Sequence, residues 1–179
     1  MPEIDFAAIQ LLVLDVDGVL TDGHIVLTPA GEEIKSFHAR DGAGMKYWKR
    51  AGGRIAIITG RASPAVARRA VELEIDAVRL GAKSKLPAYR EVLAELGVTP
   101  AQTAVMGDDL VDLPLLRHCA LAAAPADADE MVLRSAHYVA RRNGGQGCVR
   151  ELIEWILKKA GKWDAILQRY LPVEGEMPC

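Results

Sequence analysis

Two carboxylates, Asp15 and Asp17, follow the apolar run Leu11-Leu12-Val13-Leu14, and Gly18 comes directly after them. Thr59 and Arg61 follow a second, mainly apolar run, Arg54 to Ile58. Gly107, Asp108 and Asp109 follow a third, Thr103 to Met106, and Lys85 stands in the connection before it. Acids of this kind can hold a hard divalent cation through oxygen. A hydroxyl and a lysine can hold phosphate oxygens and offset charge in a transition state. One carboxylate is placed to act as a nucleophile.

Each feature has a plainer reading when taken alone. Asp15-x-Asp17-Gly18 could open a calcium loop, but that pattern needs an acid or amide at its fifth position and Glu at its twelfth. Val19 and Val26 stand there instead. Thr59-Gly60-Arg61 could be a strand-ending turn, Lys85 a solvated helix residue, and Gly107-Asp108-Asp109 a turn with a helix cap. The functional reading rests on the ordered occurrence of all four at strand ends.

Short apolar runs of this length read as strands buried on both faces of a parallel sheet. Ligands of such sheets bind beyond the carboxyl ends of the strands. Gly18 lets the chain turn away and lets a ligand approach the backbone. Further strands are expected at Ala77 to Leu80, Ala120 to Ala123 and Tyr138 to Val139. Helices are expected from Asp41 to Ala51, Ser63 to Glu74, Lys85 to Leu96, Leu110 to Arg117, Ala128 to Ser135, Val149 to Lys159 and Trp163 to Tyr170. Ser63-Pro64 is a cap followed by proline at the first helical position, and Gly97 stops the helix from Lys85. Alternation of strands and helices predicts an α/β fold, a Rossmann-like parallel sheet with helices on both faces. His24 to Thr28 and Glu33 to His38 flank Pro29-Ala30-Gly31-Glu32 and read as a small β-hairpin insertion. The hairpin is too short for an independent domain, and a lone hairpin needs something to pack on. Gly144-Gly145-Gln146-Gly147 reads as a flexible loop. Residues 1–171 are expected to form one domain, with the hairpin at about 24–38 and a loose tail at 172–179.

The 179-residue chain is 50% hydrophobic and 26% charged, with a net charge of −2. That charge supplies no global field for nucleic acid or a membrane surface, so an anionic ligand needs a local basic cluster. No apolar run approaches the roughly 20 residues of a membrane span. Met1 to Gln10 lacks a basic segment and does not read as a signal peptide. Cys119, Cys148 and Cys179 are scattered, without zinc-like spacing, and free thiols point to the cytoplasm. No Gly-x-Gly-x-x-Gly follows the first strand, which disfavours a dinucleotide site.

Asp-x-Asp-Gly-Val-Leu-Thr, then Thr-Gly-Arg, Lys and Gly-Asp-Asp, resembles the four motifs of the haloacid dehalogenase-like phosphohydrolases. Leu14 to Gly23, Arg40-Asp41-Gly42, Ile57 to Arg61, Gly107 to Leu110 and Gly144 to Gly147 are also similar to a subfamily acting on an eight-carbon sugar acid phosphate. The resemblance covers about residues 9 to 171. It implies an Mg²⁺-dependent phosphoric monoester hydrolase in which Asp15 attacks phosphorus and forms an aspartyl-phosphate. Asp17 would protonate the leaving sugar oxygen and later deprotonate water. The implied metal ligands are the Asp15 side chain, the Asp17 carbonyl and the Asp108 side chain. Thr59 and Lys85 would hold the phosphoryl group.

Asp109 keeps two readings, orienting Lys85 or capping the next helix. Asp17, Arg40, Asp41, Gly42, Lys46, Arg61, Arg69 and Lys85 match the subfamily's substrate contacts. Lys46 stands where an arginine is also seen, so a guanidinium's paired geometry is lost there. Arg141, Arg142 and Lys83 read as surface residues. The resemblance further implies no cap domain, but a homotetramer joined through the hairpin, with a neighbour covering the site. The glycine-rich stretch and the tail resemble a segment that reaches a neighbouring site. Two other functions compete: a phosphatase for a nine-carbon sugar acid 9-phosphate, and a non-catalytic assembly or regulatory module of the same fold. The intact acids at 15, 17 and 108 argue against the second.

Overall fold

The computed structural model describes residues 4–171; the expected tail at 172–179 lies outside them. In chain order the elements are β1 (Leu11–Leu14), β2 (Val26–Leu27), β3 (Glu33–Ile34), α1 (Ala39–Arg50), β4 (Arg54–Ile58), α2 (Pro64–Glu72), β5 (Ala77–Arg79), α3 (Lys85–Leu96), β6 (Thr103–Met106), α4 (Leu113–Leu116), β7 (Leu121–Ala124), α5 (Glu130–Ser135), β8 (Tyr138–Val139), α6 (Cys148–Lys159) and α7 (Trp163–Leu167).

Six strands form one sheet in the order β5-β4-β1-β6-β7-β8, and every pairing in it is parallel. Alternate residues of β1 face opposite sides. Leu12 and Leu14 join a core with residues of α1, α2 and α6, while Leu11 and Val13 join a second core with residues of α3, α4 and α5. Both faces are therefore covered, which is why these strands read as unbroken apolar runs. Each such buried leucine contributes about 1.5–3 kcal/mol through burial.

Register explains the convergence of the polar ends. Leu14 pairs with Ile57 of β4 and with Met106 of β6. The residues that follow, Asp15, Thr59 and Gly107-Asp108, leave the sheet side by side at its carboxyl edge. The chain then turns tightly after β1: Val19, Leu20 and Thr21 all donate their N–H groups to the Val16 carbonyl. Gly18 sits at φ +87° in that turn, where any side chain would overlap the Asp108 carboxylate.

Several element boundaries differ from expectation. The hairpin keeps only Val26–Leu27 paired with Glu33–Ile34. Helix α1 starts at Ala39, not Asp41, with His38 as its cap residue. Asp41 lies inside α1, where it is buried and accepts the Arg150 N–H at 2.7 Å, tying α1 to α6. The expected helix Leu110 to Arg117 divides into a 3₁₀ turn at Leu110–Asp112 and the short α4. The Asp112 side chain accepts the Asp108 and Asp109 N–H groups, which winds the chain tightly there. Gly144 to Gly147 is not a loose loop. Gly145 N–H donates to the Val19 carbonyl at 2.9 Å and Gly144 N–H to Asp127 Oδ1 at 2.9 Å. A Cβ on Gly144 would overlap the Gly18 carbonyl.

Candidate active site

Asp15, Asp17, Thr59, Gly60, Arg61, Ala82, Lys83, Lys85, Asp108, Asp109 and Val111 line one open cavity of about 260 Å³. Strand ends supply the acids and Thr59. Lys85 opens α3, a poor place for a positive charge, since a helix N-terminus is itself electropositive. Its two partners explain its position: Lys85 Nζ lies 2.8 Å from Asp15 Oδ1 and 2.6 Å from Asp112 Oδ1. Thr59 is buried, and its carbonyl accepts the Ala82 N–H at 2.9 Å. That bond holds the loop before α3 against the end of β4.

The electrostatics follow from burial and crowding. Burial and the neighbouring Asp112 push the Asp15 carboxyl up to about 6, against the pull of Lys85. Burial, Asp15 and Asp112 push Asp108 up to about 8. Burial opposes the charge of Lys85, but Asp15 and Asp112 outweigh it and the net shift is upward.

Donor atoms of Asp15, Asp108 and Asp112 all lie within 4.8 Å of one another. Asp15 Oδ1 and Asp108 Oδ1 are buried without a hydrogen-bond donor. Lys85 is close to Asp15 Oδ1, but not aligned for a hydrogen bond. Buried, mutually repelling carboxylate oxygens that lack donors are a fitting set for a hard divalent cation.

The wider comparisons agree with this geometry. The haloacid dehalogenase-like hydrolase family model matches residues 40–119. The 3-deoxy-D-manno-octulosonate 8-phosphate phosphatase of Yersinia pestis is 45% identical over 151 residues, covering 84% of this chain and 81% of the relative. The chain belongs to the haloacid dehalogenase-like hydrolases. Among solved structures of this family, the Moraxella catarrhalis 3-deoxy-D-manno-octulosonate 8-phosphate phosphatase, in complex with magnesium, phosphate and KDO, is 37% identical. Its TM-score is 0.90, covering 93% of this chain and 95% of that one. The cobalt-bound Haemophilus influenzae phosphatase is 40% identical with a TM-score of 0.89, covering 93% and 99%.

Within this haloacid dehalogenase-like fold the expected site residues fall into two groups. Asp15, Asp17, Thr59, Arg61, Lys85 and Asp108 share the acidic cavity. Arg40, Asp41, Gly42, Lys46 and Arg69 do not line it. Arg40 lines a separate cavity with Arg141, Arg142 and Arg150. Asp41 and Arg69 border a small, mostly apolar cavity with His38 and Phe37. Gly42 lies against the Arg69 guanidinium, where a Cβ would strike it. Arg69 pairs with Glu72 at 2.8 Å, and Lys46 is exposed.

Four further residues add to the sequence reading. Lys83 is a surface residue, as expected, and it also lines the acidic cavity. Asp109 does not orient Lys85. It caps the following 3₁₀ turn, accepting the Leu110 N–H at 2.7 Å. Asp112 orients Lys85 instead, and sequence reasoning passed over it. The available signal was an acid four residues after Asp108, close enough to fold back in one tight turn. Lys35 of the hairpin was also missed: it pairs with the Asp17 carboxylate.

Proposed function

We propose that this chain hydrolyses 3-deoxy-D-manno-octulosonate 8-phosphate to 3-deoxy-D-manno-octulosonate and phosphate, a reaction of lipopolysaccharide sugar synthesis. The observation that carries the reading is the Asp15–Lys85–Asp112 contact beside Asp108 and Thr59, at converging strand ends. The similarity to phosphatases of that name, over more than four-fifths of the chain, supplies the substrate.

Asp15 is the nucleophile, and the product of its attack is an aspartyl-phosphate. Lys85 holds a phosphoryl oxygen and offsets the charge that builds as the bond to the leaving oxygen breaks. Thr59 supplies a hydroxyl to the same group. Asp17 gives its proton to the sugar oxygen and regains one from the water that cleaves the acyl phosphate. Mg²⁺, when bound, neutralises charge between carboxylate and phosphate, and Asp15, Asp108 and the Asp17 carbonyl would hold it. Asp112 fixes Lys85 and the backbone of Asp108.

Arg40, Lys46 and Arg69 reach substrate in a homotetramer, where one chain covers a neighbour's cavity, while the buried Asp41 and Gly42 hold in place the helix that carries Arg40 and Lys46. The exposed apolar hairpin residues Ile25, Val26, Leu27 and Ile34 support that assembly. The free thiols Cys119 and Cys148 support a cytoplasmic location, and no helix among the described residues is long and apolar enough to cross a membrane.

A phosphate-release screen over eight- and nine-carbon sugar acid phosphates, with and without Mg²⁺, tests the reading. Mg²⁺-dependent release fastest from the eight-carbon 8-phosphate is expected. Preference for a nine-carbon 9-phosphate overturns the substrate, and no release from any phosphoester overturns the enzyme.

A further inference from the structure

The hairpin is built inside out. Ile34 is 53% exposed and Leu27 is 60% exposed. Glu33 and Lys35, which flank Ile34, point the other way, as strand alternation requires. The Lys35 side chain is only 1% exposed. Its ammonium pairs with Asp17 Oδ1 and lies 3.4 Å from Glu33 Oε1. Arg61 closes the ring: Nη2 lies 3.0 Å from Glu33 Oε1 and Nε 3.8 Å from Asp17 Oδ2. Four charges, two of each sign, thus join the hairpin, the turn after β1 and the loop after β4. A buried lysine is tolerated where partners hold it. The partners here belong to the cavity, so assembly through the outer face leaves this inner face unexplained.

We propose that Lys35 is a positioning residue of the reaction: it fixes Asp17 Oδ1, so that Asp17 Oδ2 exchanges the proton. Glu33 in turn fixes Lys35 and Arg61. The inference rests on the phosphatase reading above. As an Asp15 oxygen bonds to phosphorus, the bond between phosphorus and the sugar oxygen breaks. The electron pair stays on that oxygen, and the proton on Asp17 Oδ2 moves to it. Asp17 is left as a carboxylate, which takes a proton from the water that attacks the acyl phosphate. Arg61 Nε is too far from Oδ2 for a hydrogen bond, so that oxygen is the one available.

The test uses the leaving group. A sugar alkoxide needs a proton as it departs; 4-nitrophenolate, a weak base, does not. In Lys35→Met, kcat/KM for the sugar acid phosphate should fall about 10- to 100-fold, the scale of a misplaced proton donor. For 4-nitrophenyl phosphate it should stay within about 3-fold, since kcat/KM reports steps only through first bond cleavage. Lys35→Arg should restore most of the loss, and Glu33→Gln should show a smaller loss of the same pattern. Equal losses on both substrates make Lys35 a fold or phosphate contact and overturn the inference. Unchanged rates on both do the same. If Lys35→Met does not fold, Glu33→Gln decides by the same ratio. A wild-type chain inactive on both substrates with Mg²⁺ overturns the phosphatase reading itself, and this inference with it.

Discussion

The Lys85 ammonium lies 2.6 Å from Asp112 Oδ1, both side chains buried, and the same ammonium reaches Asp15. Removing one member of a buried pair strands the other's charge and costs about 3–5 kcal/mol. Asp112→Ala also strips an acceptor from the Asp108 and Asp109 N–H groups. Its urea midpoint should drop at unchanged slope, with loss in that range. Asp112→Asn, which keeps an acceptor oxygen, should lose less stability, while phosphate release still falls because Lys85 is left to Asp15 alone.

Asp15→Asn should reduce phosphate release by more than about 10³-fold, the scale of losing a nucleophile. It should do so without lowering the melting temperature in metal-free buffer. Burial and Asp112 both disfavour a charge at this position, so a neutral isostere relieves repulsion. Phosphate release and calorimetry on the same preparation check the two halves.

The acids also set a pH dependence. Asp108 ionises near 3.8 when unfolded and is held protonated to about 8 when folded, and Asp15 is raised to about 6. Between those values the folded chain binds more protons than the unfolded one, so their contribution to metal-free stability falls as pH rises through that window. A divalent cation binds the ionised carboxylates. The melting-temperature gain on adding Mg²⁺ should therefore be larger at about pH 8 than at about pH 5. Asp108→Asn should flatten the metal-free slope and remove most of the gain. Scans in chelator and in Mg²⁺ read both effects.

If the hairpin joins a homotetramer, its outer face is the place to break it. Leu27→Asp with Ile34→Asp should convert the assembly to smaller species in light scattering at micromolar concentration. Folding should be kept, because both side chains are exposed in the single chain. A wild-type chain that already scatters as a monomer counts against the assembly.

The sheet was legible in the sequence because burial on both faces leaves no alternation, only apolar runs such as Leu11–Leu14 with polar ends. Asp15, Thr59 and Asp108 were legible for the same reason: they stand where those runs stop, and Lys85 was legible from its place in the connection before the third run. Asp112 was not, because its role depends on a tight 3₁₀ turn where a regular helix was expected. Lys35 was hidden by its hairpin, whose buried side is charged and whose open side is apolar. The separation of Arg40, Lys46 and Arg69 from the acidic cavity is a matter of helix placement, which spacing along a chain does not encode.

The glycine-rich segment before α6 bears on the order in which the protein is made. Cys148 donates its thiol to the Val19 carbonyl across 129 residues of sequence, and Gly145 reaches that same carbonyl. β1 emerges early from the ribosome but sits between β4 and β6 in the finished sheet. Contacts of such sequence separation form late, after the intervening chain has been ordered. A nascent chain thus carries Asp15 throughout synthesis while the turn that follows it stays unbraced. The turn is braced only when residues 144–148 close over it, so a chain cut short of them lacks both contacts to Val19.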